Sequence, residues 1–382
     1  MKRKRQISGS GAEVDSCPRK CNINDKDHIS KLPDDVLHTI VSLLSMRDAV
    51  HTSVLSRRWK NMYAYMSNLE FDWHDIISTP ADSTPGTVCK RKVRCFLARL
   101  ERFLACHLGT KVVSFKVSCC FGNTYARQIN DWISFAIRKG VENLDLAFTC
   151  DKPAERIDWR IIDYYHFPTQ LLLHGEESKL RHLSLRSCTL QSDFFDRFST
   201  LSTLVLCDVN LAGHVEPHIF SSCSNLECLT LQWCFGLERL CIGDSLRRLK
   251  VLVVSLCEGL KGIELSATNL TSFQYKGDDI ELSFQRVPNL GELYVMMKDT
   301  DVVSTFAQLE KELPHVKSMT VAKSRARKKK LESLTIQQGP AVAGVSRDIQ
   351  RISSVLGAFL LLQKFHLTSN LHYINCGCRC LI

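Results

Sequence analysis

The sequence has no long apolar run. Its longest, Val355 to Leu362, falls far short of the roughly 18 residues that a membrane span takes. The opening Met1-Lys-Arg-Lys-Arg leads into no apolar segment, so neither a transmembrane helix nor a signal peptide is expected. Catalytic signatures are missing too. There is no Gly-rich phosphate loop, no H-E-x-x-H, no G-x-S-x-G and no kinase motif set, and the 13 histidines are dispersed without ligand spacing. No enzyme class is supported. The 18 cysteines lack zinc-type pairing: Cys17 and Cys21 form a lone CxxxC, and Cys376, Cys378 and Cys380 merely alternate. Arg379 stands where a terminal prenylation box needs cysteine. Scattered along apolar segments, these cysteines fit free buried thiols in a reducing compartment. No metal and no cofactor is expected.

A sequence-wide charge excess is missing as well. The net charge of +10 resides in two segments: residues 1 to 26, and Lys323, Arg325, Arg327, Lys328, Lys329 and Lys330. The remainder is balanced and offers no phosphate-tracking groove, so nucleic acid is not an expected partner. Lys2 to Arg5 with Arg19-Lys20 resembles a bipartite nuclear-import signal, and a solvated disordered tail reads equally well, so localisation is nucleus and/or cytoplasm. Asp278, Asp279 and Glu281 read as a solvated turn. Trp59, Trp73, Trp132, Trp159 and Trp233 read as core or interface anchors, not a base-stacking platform.

What is present divides in two, since 382 residues with 45% apolar content exceed one compact core. Leu32-Pro-Asp-Asp-Val-Leu37 opens a helix with proline at its start and two acids at its positive end. Val36, Leu37, Ile40, Val41, Leu43 and Leu44 then recur at helical spacing. Ser45 with Asp48 reads as the cap of a second helix, and Ser56 as the cap of a third, Arg57 to Met62. Three short helices cannot bury this much apolar surface alone, so a partner is expected.

Downstream, Val93, Phe96, Leu97, Leu100, Phe103 and Leu104 form an amphipathic helix. L-x-x-L-x-L then repeats at Leu180, Leu201, Leu226 and Leu249, with weaker copies at Val112, Val141, Leu270, Leu290, Val316, Leu331 and Leu362. The spacings are those of leucine-rich repeats, and Cys120, Cys188, Cys234 and Cys257 fall where that pattern turns the chain. Half-repeats at Leu237 to Ile242 and Leu260 to Leu265 imply a second strand on the other face. Ile129 to Arg138 and Val302 to Leu313 imply helices there.

Asp27-His-Ile-Ser-Lys-Leu-Pro-Asp-Asp-Val-Leu, followed by Asp48-Ala-Val-His-Thr-Ser-Val-Leu-Ser-Arg-Arg-Trp59, resembles the F-box. The order F-box, helix, irregular repeats resembles the plant F-box/leucine-rich-repeat family, including its FBD-associated members. The resemblance runs from about residue 27 to about residue 320. It implies an α/β architecture: a three-helix F-box, then a solenoid of short parallel strands backed by helices or second strands. The expected organisation is a basic tail (1–26), F-box (27–73), linker and helix (74–110), solenoid (111–370, with a basic loop at 323–330) and Cys-rich tail (371–382).

The resemblance further implies a non-catalytic substrate-recognition subunit that docks on a Skp-type adaptor, and through it a cullin-RING ubiquitin ligase. Leu32, Pro33, Val36, Leu37, Ile40, Leu44, Val50, Val54, Leu55 and Trp59 would form that contact. A nuclear nucleic-acid-binding regulator and a non-degradative scaffold are the rival readings. Period-two alternation turns Lys116, Asp145, His182, Ser184, Arg186, Val205, Thr230, Gln232, Val253, Gln274, Glu292 and Tyr294 away from the core. On this concave face Arg186, Gln232 and Tyr294 are the expected substrate contacts.

Overall fold

The computed structural model describes residues 29–73, 90–119, 121–148, 164–168, 170–171, 179–190, 199–211, 218–298, 300–324, 332–337 and 364–368. The basic tail, the Cys17/Cys21 pair, the residues from Ser78 to Thr87, Cys120, Trp159, Arg325 to Lys330 and the terminal cysteines lie outside them.

The N-terminal module is a 3-10 turn, Ile29–Lys31, two α-helices, α1 (Asp34–Ser42) and α2 (Met46–Thr52), and a longer 3-10 helix, Trp59–Tyr65. Pro33 is the N-cap of α1, and Asp34 and Asp35 occupy its first turn, where carboxylates suit the helix dipole. Arg58 closes the module by donating to Asp34 at 2.6 Å. The Ser45 hydroxyl oxygen accepts from the Asp48 N–H at 3.1 Å and donates to the Asp48 carboxylate at 2.7 Å, a capping arrangement worth about 1 kcal/mol. The third helix departs from expectation. It begins at Trp59 without a side-chain cap, and the Ser56 hydroxyl is buried with no partner among the described residues.

The sheet starts earlier than 111. β1 (Asn68–Asp72), inside the stretch assigned to the F-box, pairs in parallel with β2 (Ser114–Ser118). Each later repeat adds a strand in parallel register: β3 (Asn143–Ala147), β5 (His182–Leu190), β6 (Thr203–Asn210), β7 (Cys228–Gln232), β9 (Val251–Ser255), β11 (Ser272–Gly277), β13 (Glu292–Lys298) and β14 (Ser318–Ser324). β4 (Tyr165–Phe167) joins the far end of β5, pairing Tyr165 with Cys188. Alternation decides the faces. Leu183 and Leu185, Leu204 and Leu206, Leu229 and Leu231, and Leu252 and Val254 are all essentially buried, while the residues between them face away from the core.

Behind the sheet, α3 (Lys90–Cys106) and α4 (Ala126–Arg138) cover the early strands, and α5 (Val302–Glu312) the last. Ile129, Trp132, Ile133 and Ala136 of α4 are buried, the i, i+3, i+4, i+7 stripe of a core-facing helix. The half-repeats form β8 (Arg239–Ile242) and β10 (Gly262–Leu265). With β12 (Glu281–Phe284) they make a second, parallel three-stranded sheet. Glu281, expected in a solvated turn, is therefore a strand residue, and it pairs with Arg239 at 2.9 Å.

The last two pattern copies are not further turns of the solenoid. β15 (Glu332–Gln337) runs antiparallel to β14, and β16 (Lys364–Thr368) antiparallel to β15. Lys323, expected in a loop, lies in β14.

Two side-chain ladders stitch the repeats. At the strand entry, Asn225, Asn269 and Asn289 each donate to a main-chain carbonyl of the preceding repeat, those of Ser199, Arg247 and Thr268, at 2.5 to 2.7 Å. At the exit, Ser187, Asp208, Trp233 and Leu256 all have φ between 51° and 57°, a left-handed conformation unfavourable for residues with a Cβ. The next residue, Cys188, Val209, Cys234 or Cys257, turns back toward the core, and the Cys234 thiol donates to the Leu206 carbonyl at 3.4 Å.

Candidate functional site

Two surfaces carry side chains without a role in the core. The first is the helical module. Its interior is closed by Leu37, Val41, Ala49, Trp59 and Met62, and the T-shaped contact of His38 with Tyr65, 4.8 Å between centroids, ties α1 to the 3-10 helix. Of the ten side chains expected at an adaptor contact, Pro33, Val36, Val50, Val54 and Leu55 are exposed. Leu32, Ile40 and Leu44 are half-buried against the core. Leu37 and Trp59 are corrections: at 0% and 3% exposure they hold the module together and present no surface. Leu43, absent from the expected set, is 82% exposed. It belongs to the same apolar run at helical spacing, but as the C-cap of α1 it turns outward.

The second surface is the core-averted face of the long sheet. Strand register sorts it into rows across the strands. Ser184, Val205, Thr230, Val253, Gln274 and Tyr294 make one row, and Arg186, Cys207, Gln232, Ser255, Lys276 and Met296 the next. With strands about 4.8 Å apart, Arg186 and Gln232 stand two strands, or about 10 Å, apart in the same row. Tyr294 sits in the neighbouring row three strands further, about 14 Å along. The three expected contacts thus share one face but not one pocket.

Electrostatics divides this face. On the early strands Lys116 pairs with Glu70 at 2.7 Å. The hydrogen bond it donates to Glu70, together with the charges of Glu70, Asp145 and Asp72, outweighs desolvation and holds its ammonium above the usual lysine range. Burial pushes the His182 imidazole down, partly offset by Asp145, so it is neutral at physiological pH. The buried thiols are held in their protonated form: burial pushes Cys119 up to about 12 and Cys188 up as well. Such groups are poor nucleophiles. Among the described residues, no cluster of three or more His, Cys, Asp or Glu side chains could hold a metal ion. No described helix is long and apolar enough to cross a membrane.

Comparison with known families supplies what geometry alone does not. A model described as the F-box domain matches residues 29–62, and one described as the At1g61320/AtMIF1 LRR domain matches residues 103–373, well over half of the chain. The chain belongs to the plant F-box/leucine-rich-repeat family. Among its relatives in Arabidopsis thaliana, F-box/LRR-repeat protein 25 is 29% identical over 58% of this chain and 73% of its own length. F-box/LRR-repeat protein At2g42730 is 29% identical over 67% of this chain and 53% of its own length. Putative F-box/LRR-repeat protein At5g02930 is 25% identical over 81% and 60%. The chain thus spans little more than half the length of two of these three.

Within this family framework the module and the sheet face take different positions. The F-box match ends at residue 62, six residues before β1 begins. The first strand of the sheet is therefore continuous with the F-box through a single short connection, and its buried Leu69 and Phe71 tie the two bodies into one core.

Proposed function

We propose that this protein is the substrate-recognition subunit of a Skp–cullin–F-box ubiquitin ligase, with the helical module docking on a Skp-type adaptor and the sheet face receiving a protein substrate. The observation that carries the reading is the module's surplus of apolar surface. Its core is complete without Leu43, Val54 and Leu55, yet these are 82%, 85% and 66% exposed, beside exposed Val36 and Val50. Burying one such side chain against a partner contributes roughly 1.5–3 kcal/mol, so a handful suffices for a stable contact.

The reading assigns this chain no bond-making step. Its contribution is proximity: a substrate held on the sheet has its lysines at raised effective concentration near a charged conjugating enzyme brought by the cullin arm. The mixed signs on the sheet face, with Glu70 beside Lys116 and Asp145 beside His182, favour this over the nucleic-acid reading, because a phosphate-binding face carries a clear excess of cations. Residence in the nucleus, the cytoplasm or both belongs to the same proposal, and changing Lys2 to Arg5 to alanine is expected to lower the nuclear share of a tagged protein.

The test is adaptor capture. Leu43→Asp combined with Val54→Asp is expected to abolish co-purification with a Skp-type adaptor, with an unchanged melting transition because neither side chain is in the core. Full capture by the folded double variant would overturn the docking assignment. A substrate whose half-life is unaffected when residues 29–62 are deleted would overturn the degradative role and leave the scaffold reading.

A further inference from the structure

Two cations on the sheet face have no carboxylate assigned to them. Lys116 pairs with Glu70 and Lys298 with Asp278, but Arg186 on β5 and Lys276 on β11 make no ion pair among the described residues. They occupy the same register row, linked through Cys207, Gln232 and Ser255. Four strand steps separate them, about 19 Å along the sheet. Between them β6, β7 and β9 present only uncharged side chains in the two rows, among them Val205, Thr230, Gln232 and Val253. Of the nearby carboxylates, Asp145 lies outside the tract, on β3 opposite Ser184 and close to Lys116 and His182, and the others are engaged or turned elsewhere. Asp208 accepts from Ser187 at 2.6 Å and from Tyr164 at 2.9 Å. Asp278 is held by Lys298, and Glu258 and Asp279 lie in the segments that lead away to the short sheet.

Midway between the two cations, at the exit of β7, stands Trp233. Its left-handed backbone, φ 51°, takes it out of the alternation that would bury it, and it is 50% exposed. Leu256 occupies the equivalent rim position of the next strand, only partly buried. Here an apolar lip borders an uncharged tract with a positive charge at each end.

We propose that this tract binds an extended peptide segment of the substrate that carries two acidic residues six positions apart, with an apolar residue two or four positions after the first. The proposal rests on the receptor reading above and specifies its substrate class. The spacing follows from geometry. At about 3.3 Å per residue, 19 Å is spanned by roughly six residues. Even offsets point the same way in an extended chain, so the two acids face Arg186 and Lys276 while a residue at offset two or four reaches the Trp233 lip.

The experiment uses the full chain and a fluorescein-labelled seven-residue peptide with glutamate first and last, leucine third and fifth, and alanine elsewhere. Fluorescence anisotropy is expected to show saturable binding that weakens as salt rises. Arg186→Glu with Lys276→Glu is expected to weaken it at least about tenfold, and Trp233→Ala at least about fivefold. Arg186→Lys with Lys276→Arg, which keeps both charges, is expected to bind nearly as wild type, so that a folding defect is not mistaken for lost contact. The proposal is overturned if folded wild-type chain does not bind this peptide, if a peptide with lysine in place of both glutamates binds equally, or if charge reversal changes nothing. Adaptor capture measured on the same preparations separates the two readings: peptide failure with capture intact refutes only the acidic-segment assignment, whereas capture failure with peptide binding intact refutes only the ligase assignment.

Discussion

The F-box module and the repeat sheet bury apolar side chains with very different completeness. Of the ten exposed large hydrophobic side chains among the described residues, Ile29, Val36, Leu43, Val50, Val54, Leu55 and Tyr65 lie in the module, and only Leu108, Trp233 and Val303 beyond it. The solenoid hides its leucines because each strand between β1 and β14 of the long sheet's main path has a neighbour on both sides, so stacking carries one core from repeat to repeat. The three short helices share their core with β1 and are not stacked repeat upon repeat. A repeat array extends its burial strand by strand, whereas the module, even with β1 in its core, still leaves much of its apolar surface on the outside. On the module this surface is what the proposed adaptor contact would cover; beyond it the exposed apolar side chains are scattered, with Leu108 after α3, Trp233 at the exit of β7 and Val303 in α5.

The comparison breaks most visibly if truncation costs the same in both regions. Leu252→Ala, in the middle of the sheet and fully buried, is expected to cost about 2–5 kcal/mol, read as a lower denaturation midpoint. Val54→Ala, 85% exposed, is expected to change stability by less than about 0.5 kcal/mol while weakening adaptor capture. Equal losses would mean that Val54 serves the fold.

Smaller effects sharpen the contrast. Ser45→Ala removes the α2 cap and is expected to cost about 1 kcal/mol, and Asn269→Ala removes one rung of the entry ladder for about 0.5–1.5 kcal/mol. Hydrogen exchange should localise the first loss to the module and the second to the repeats around β9 and β11. The exposed Lys250–Glu227 pair, 2.7 Å apart, is expected to give a coupling of about 0.2–1 kcal/mol in a double-mutant cycle, shrinking with salt.

The pH dependence has a definite sign. His182 is held below the ordinary histidine value of 6.5 in the folded chain, so the unfolded chain binds more protons as pH falls below that value. Stability contributed by keeping this imidazole neutral is complete above pH 6.5 and declines as pH falls from there through the lower folded-state value. His182→Gln is expected to flatten that decline in a series of melts.

In the long sheet the parallel strands from β2 to β14, all but the short β4, were legible because L-x-x-L-x-L states which side chains go inward, and the short second strands β8 and β10 because the same pattern recurs at half the interval. Direction was not legible. Leu334 and Ile336, or Phe365 and Leu367, satisfy the alternation whichever way the strand runs, and β15 and β16 run antiparallel. β12 was hidden by its own charge, since Glu281 next to Asp278 and Asp279 looks like solvent. In the module, spacing identified an apolar face but could not divide it. Leu37 inside and Leu43 outside belong to one apolar run, and Trp59 to another helix; only the way the helices pack on one another decides which are covered. Trp233 was visible as an anchor, but nothing in the sequence marks a non-glycine residue for left-handed backbone.

That backbone choice bears on how the rim can vary. Glycine would occupy the four left-handed exit positions with less strain, by about 1–2 kcal/mol each, yet the chain carries serine, aspartate, tryptophan and leucine there, four unrelated chemistries on one repeated backbone. At these corners the repeats share one backbone and differ in side chain: Ser187 is buried, Asp208 is held by Ser187 and Tyr164, and Trp233 and Leu256 reach the surface. Binding preference can therefore drift from copy to copy along the rim while the scaffold beneath stays the same.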